Sequence, residues 1–246
     1  MHGARPRTNH EALRRISERS GAQIVIGCGW YRERIYDADV LGKTSRELAK
    51  VLIDQIVNGF AGTTVRAGFI GEIGTERGPI TPAEERVFRA AARAQLSTGV
   101  GIWTHTTHFG ERALDQIELL TGCGVSTNRI VISHLGDLED CSRLLQIAAR
   151  GVYVSIDNIG YTGDGYPGDD VRANSIKELV SAGFLDQIVI GTDIGTRSAM
   201  KSYGGRGFAW LIEQFIPRLR AMGLDEPQLM AITTNNVARA LTITKV

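Results

Sequence analysis

The sequence has few cysteines, few lysines and no long apolar runs. Its three cysteines, Cys28, Cys123 and Cys141, are an odd number with no Cys-x-x-Cys spacing. That excludes a disulfide framework and a thiolate zinc site and leaves small apolar fillers or ordinary surface thiols. No stretch approaches the ~18 consecutive apolar residues of a membrane span, and the first residues hold no apolar signal core. A cytoplasmic chain with no membrane partner is the expectation. An excess of one charge is missing as well. The 28 basic and 27 acidic residues leave a net charge of +1, so bulk electrostatics give no footprint for nucleic acid. Lysine supplies only 5 of the 28 basic residues, and none lies between Lys50 and Lys177.

The 246 residues, 43% apolar and 22% charged, suit a soluble globular chain and one domain of about the length of a single α/β barrel. Asn9 to Ser20 reads as a capped helix closed by Gly21. Gln23 to Gly29 reads as a buried strand, and Thr44 to Asn58 as a helix with Leu48, Leu52, Ile53 and Ile56 on one side. Thr81-Pro82-Ala83-Glu84-Glu85 is a helix start: a capping threonine, a first-turn proline and acids near the positive dipole end. Strands alternating with helices continue to Leu241, giving one helix, six strand–helix units and a helical tail from Leu224. No linker or change in composition divides the chain, so residues 1–246 read as a single domain. Such alternation predicts a parallel sheet. Six strands fall short of the eight of a closed barrel, and the chain opens on a helix.

Three segments read nearly alike: Phe69-Ile70-Gly71-Glu72, Gly101-Ile102-Trp103-Thr104-His105 and Ile130-Val131-Ile132-Ser133-His134. Each is an apolar run that climbs to one metal-capable side chain. Ile188-Val189-Ile190-Gly191-Thr192-Asp193 does the same with a carboxylate. The intervals, 33, 29 and 59 residues, correspond to one, one and two strand–helix repeats of about 30 residues each. Parallel barrels carry their chemistry at the carboxyl ends of their strands, so Glu72, His105, His134 and Asp193 are expected to converge on one axis as in a metal hydrolase. Neutral imidazole is the commonest protein metal ligand. A carboxylate at a barrel mouth needs a cation nearby. For Glu72 that cation is a metal or an arginine such as Arg66 or Arg129.

At Gly71-Glu72-Ile73-Gly74-Thr75, Thr104-His105-Thr106, Ser133-His134 and Thr192-Asp193 the chain resembles the phosphotriesterase family of the amidohydrolase superfamily. Cys28-Gly29-Trp30-Tyr31 and Lys201-Ser202-Tyr203-Gly204-Gly205 add to the likeness, which runs collinearly from about Arg7 to Leu241. It is nearest the branch with a glutamate at the end of the family's fourth strand. The lysine-free stretch excludes the carboxylated lysine that other branches carry there. The resemblance implies a (β/α)8 TIM barrel, truncated at its N-terminus to about six βα units, and a pair of divalent metals. Zinc is the expected ion, with manganese or iron as alternatives. In that scheme Glu72 bridges the metals, His105 and His134 bind one of them, and Asp193 binds the other and accepts a proton from the attacking water. Tyr31 matches a tyrosine that faces the reacting oxygen in lactonase-like relatives, so Asp193 and Tyr31 are the candidate catalytic residues.

One departure is large. No His-x-His occurs among His2, His10, His105, His108 and His134, so the strand that carries this pair in the family is not represented, and one metal rather than two is a natural expectation. Arg197, Lys201 and Arg206 in the glycine-rich loop after the last strand, with Tyr161, are candidate substrate contacts. His108 reads as a helix-start histidine and Asp157 as part of a loop, with a substrate contact as the alternative for each. The function expected is hydrolysis of a small-molecule ester, lactone or organophosphate by a metal-dependent enzyme. The alternatives are a catalytically impaired truncated barrel or binding protein with at most one metal, and a mononuclear enzyme using Glu72, His105 and His134. Strands left open at Gln23–Gly29 and Ile188–Asp193 would expose apolar edges, so a cover is expected: a homo-oligomer, a separate chain or the chain's own first residues.

Overall fold

The computed structural model describes residues 9–107, 109–163 and 165–244. Its elements in chain order are α1 (His10–Ser20), β1 (Gly27–Cys28), α2 (Ala38–Gly42), α3 (Ser45–Val57), β2 (Phe69–Thr75), α4 (Pro82–Thr98), β3 (Gly101–Thr106), α5 (Ala113–Gly122) and β4 (Ile130–Ser133). There follow α6 (Cys141–Ala148), β5 (Tyr153–Ile156), α7 (Asp169–Ser181), β6 (Ile188–Ile190), α8 (Ile216–Ala221), α9 (Glu226–Met230) and α10 (Asn236–Leu241).

Local chemistry sets the helix ends. Asn9 caps α1 by accepting from the Ala12 amide at 2.9 Å, and Gly21 closes it in the left-handed conformation. Thr44 with Glu47, and Thr81 with Glu84, form reciprocal capping boxes at α3 and α4, each satisfying two otherwise orphaned amides. Helix α4 buries Ala83, Ala90, Ala91, Ala92 and Ala94, and these small side chains let it pack closely on its neighbours.

The six strands form one sheet in the order β1-β2-β3-β4-β5-β6, every pair parallel. Every residue of β4 and β5 is buried, as expected for parallel strands covered on both faces. The main core lies between the sheet and its helices. A smaller cluster of Val131, Tyr153 and Val189 packs with Val237 and Ala240 of α10. Buried Arg129 ties the tail to the sheet by donating to the carbonyls of Gly99, at 3.0 Å, and Thr242. It is therefore not a partner for Glu72.

The expected first strand shrinks to two residues. Gly27 lies against the Gly71 carbonyl too closely to admit a Cβ, and among the described residues β1 pairs with β2 alone. A π-turn at Leu211–Phe215 leads into α8, where Pro217 has no amide to offer the preceding turn. Among the described residues no helix is long and apolar enough to cross a membrane.

Candidate metal centre

Glu72 lies within β2 rather than at its end. Ile70 pairs with Ile102 and Ile73 with Thr104, so β2 carries one extra residue across Gly71–Glu72. Such a bulge re-aims a side chain. His105 is the fifth residue of β3, in register with Gly74 and Ser133, and His134 follows β4 directly. Glu72 Oε1 is 2.9 Å from His134 Nε2, and Glu72 Oε2 is 3.7 Å from His105 Nδ1. One ligand atom from each of the three residues falls within 4.8 Å of the others.

The far nitrogens are anchored. His105 Nε2 is 3.1 Å from the Tyr31 hydroxyl, and His134 Nδ1 donates to Asp157 Oδ1 at 2.9 Å. Of the near nitrogens, His105 Nδ1 is buried with no hydrogen-bond partner among the described residues, and His134 Nε2 is buried against Glu72 Oε1. A proton on each anchored nitrogen leaves a lone pair on each inner one. Two imidazole lone pairs and a carboxylate thus face one point, a donor set that suits zinc or another divalent ion of similar preference. These residues fit the expected metal.

The same convergence perturbs their acidity. Burial alone would push the Glu72 carboxyl up, but His105 and His134 beside it hold it well below the usual carboxylate range. Burial also works against a charge on His134, yet the Asp157 and Glu72 carboxylates outweigh it and raise that imidazole well above its ordinary value. His105 is pushed down by burial, which Glu72 only partly offsets. The Tyr31 phenol is pushed up to about 12 by burial and by the nearby Glu72, so it stays protonated across the ordinary pH range.

Asp157, read from the sequence as a loop residue, is the anchor of His134. Beyond the ring contact its Oδ2 accepts from the His134 amide at 2.9 Å and from the Ser155 hydroxyl at 2.8 Å. Next to it runs a second buried network. Arg172, fully buried, donates to Asp137 at 2.7 Å and to Asp169 at 2.9 Å, and the Asn158 amide donates to Asp137 at 2.6 Å. The pocket above the cluster has a volume of about 320 Å³. All four described non-glycine residues with positive φ, Phe109, His134, Asn158 and Asp193, line it. Strain of this kind concentrates at functional sites, and it leaves no mark in composition or periodicity.

The remaining expected residues distribute as follows. Asp193, with φ +45°, lines the pocket but is exposed and stays outside the three-residue ligand cluster. Arg206 donates to the Thr192 carbonyl and lies over the Tyr161 ring at 5.4 Å. Lys201 is paired with Glu213 at 3.5 Å, and Arg197 is exposed. None of Arg197, Lys201, Arg206 and Tyr161 is among the pocket-lining residues, whereas Arg32 and Arg34 are. His2 and His108 lie outside the described residues.

A parallel α/β sheet that presents a carboxylate and two oriented histidines from successive strands defines a site of the metal-dependent hydrolase type. The chain belongs to the Phosphotriesterase family, whose profile matches residues 6–241. It is 34% identical to the phosphotriesterase homology protein of Escherichia coli strain K12 over 93% of this chain and 77% of that one. The crystal structure of that protein, with phosphate in its active site, superposes with a TM-score of 0.91 at 33% identity, covering 96% of this chain and 80% of the other. The N-acetyltaurine hydrolase of Danio rerio is 30% identical over 95% of this chain and 69% of its own length. A lactonase from Listeria monocytogenes superposes with a TM-score of 0.89 at 28% identity, covering 97% of this chain and 78% of that one.

Proposed function

We propose that the chain is a metal-dependent hydrolase that cleaves an ester, lactone or phosphoester bond of a small molecule. The observation that carries this reading is the convergence of His105 Nδ1 and His134 Nε2 on the Glu72 carboxylate. Glu72, His105 and His134 would hold one divalent ion, since three protein ligands and an open position make a catalytic site. Bound there, such an ion supplies Lewis acidity and a water of low pKa.

The chain's own residues do the rest. Asp157 holds His134 through one contact to its ring and one to its amide, and is itself held by the Ser155 hydroxyl. Tyr31 holds the outer nitrogen of His105. Asp193, on the pocket wall, would accept a proton released during hydrolysis. The family context supports an ester, lactone or organophosphate as substrate, and the N-acetyltaurine hydrolases add an amide to the set worth assaying.

The test is hydrolysis by the zinc-loaded chain of a small panel: an aryl ester, a γ-lactone, a dialkyl aryl phosphate and N-acetyltaurine. Turnover of at least one, lost in His134→Ala and in metal-stripped protein, is expected. No turnover of any of them with zinc, manganese or iron would remove the hydrolase reading. The chain would then be a binding protein with a single ion.

A further inference from the structure

The pocket carries two arginines that the hydrolytic chemistry leaves unused. Arg32 and Arg34 lie just beyond Tyr31 in the segment after β1, and both line the cavity. The Arg32 side chain is only 10% exposed. Its guanidinium lies over the Tyr31 ring, 4.6 Å from the centroid, and the Tyr31 hydroxyl is the group that touches His105. One aromatic ring therefore separates this cation from the candidate ligands.

The guanidinium is incompletely satisfied. Its Nη1 makes two long contacts, 3.4 Å to Glu76 Oε2 and 3.3 Å to Thr107 Oγ1, and its Nε is buried without a partner. Arg34 Nε stands 3.5 Å from the other oxygen of the same glutamate. Glu76 is thus one carboxylate between two cations. Of the other acids lining the pocket, Asp137 is engaged by Arg172 and Asn158, and Asp193 stands exposed to solvent. A buried, permanently charged fork with open hydrogen-bonding capacity matches the planar geometry of an oxyanion. The cavity, at about 320 Å³, is at the small end for ligand sites.

Resting on the hydrolase reading of Glu72, His105 and His134, we propose that Arg32, with Arg34 at the rim, is an anion subsite that selects small substrates with an oxyanion group remote from the scissile bond. A carboxylate, a sulfonate and a phosphate all present that chemistry. The subsite lies on the β1 side of the pocket rather than in the loop after β6.

The experiment uses the 4-nitrophenyl monoesters of succinate, glutarate and adipate, each against its methyl-capped neutral counterpart, with the zinc-loaded chain. The readout is the ratio of kcat/KM for the charged ester to that for its neutral partner. Losing a hydrogen bond to a charged group is worth about a tenfold effect or more, so Arg32→Gln should lower this ratio at least tenfold for the best chain length, and Arg32→Lys should restore part of it. A merely structural role for Arg32 would lower both rates together and leave the ratio unchanged, and that result overturns the proposal. If Arg32→Gln does not fold, Arg34→Gln should lower the ratio about threefold, and an unchanged ratio there counts against the proposal in the same way.

A second arm needs no turnover. Glutarate, ethanesulfonate and methyl phosphate are titrated calorimetrically into metal-free protein. Binding of at least one, weakened about tenfold in Arg32→Gln, is expected, and the strongest of the three names the head group. Absence of binding by all three overturns the subsite. Anion binding that depends on Arg32, without hydrolysis of any ester, would instead show that the subsite is real and the hydrolase reading wrong.

Discussion

Replacing Asp157 by asparagine should loosen zinc without touching a ligand atom. In the native site one Asp157 oxygen takes the Nδ1 proton of His134 at 2.9 Å, and the other accepts from the His134 amide at 2.9 Å and the Ser155 hydroxyl at 2.8 Å. The carboxylate therefore fixes both the ring tautomer and the backbone of a residue held at φ +65°. Asparagine keeps one acceptor oxygen, so it can serve the ring or the amide but not both, and its NH2 group opposes whichever donor is left. An unsatisfied buried donor costs about 1–3 kcal/mol of stability. Loss of a carboxylate partner behind a ligating histidine typically costs 10–100-fold in metal affinity, or about 1.4–2.7 kcal/mol. Competition against a chromophoric zinc chelator measures the affinity, and a denaturant melt of the metal-free protein measures the stability. Wild-type zinc affinity in a folded Asp157→Asn protein would refute the claim that Asp157 orients His134 for ligation.

Gly136→Ala should reproduce the affinity loss in milder form, because the added Cβ would sit 2.7 Å from the Asp157 carbonyl oxygen; the same chelator competition reads it. Arg172→Met should destabilise the fold by about 3–5 kcal/mol, the usual consequence of leaving a buried partner such as Asp137 uncompensated, and a urea melt shows whether it does. Glu84 has its pKa raised by burial, opposed by the Thr81 and Glu76 amides. Its contribution to stability is therefore full below the unfolded-state pKa and fades as pH rises through the folded one. The stability gap between wild type and Glu84→Gln should accordingly narrow from acid towards neutral pH in a melt series. Among the described residues the outer strands β1 and β6 each pair on one side only, so the chain is expected to associate; light scattering after size exclusion should give a mass above the 26.8 kDa of one chain.

Much of this architecture was legible because it rests on local rules. The caps at Asn9, Thr44 and Thr81 act within three residues, and the apolar runs before His105 and His134 are long enough to be strands under any reading. Their regular spacing placed Glu72, His105 and His134 together, as the structure does. What the sequence hid depends on long-range geometry. The bulge at Glu72 is visible only in the pairing of β2 with β3. Asp157 looks like any strand-end acid until β5 lies beside β4 and brings it to His134. Arg32 and Arg34 reach the pocket because the segment after β1 folds over the strand ends, whereas the basic loop after β6, the natural guess for an anion site, turns Lys201 towards Glu213 and exposes Arg197.

The central claim is that Glu72, His105 and His134 form a metal site. Elemental analysis of the chain loaded with zinc and dialysed addresses it directly. About one ion per chain is expected, reduced to background in Glu72→Gln, His105→Ala and His134→Ala proteins that remain folded. Retention of no ion by the wild-type chain, or undiminished retention by all three variants, would contradict it.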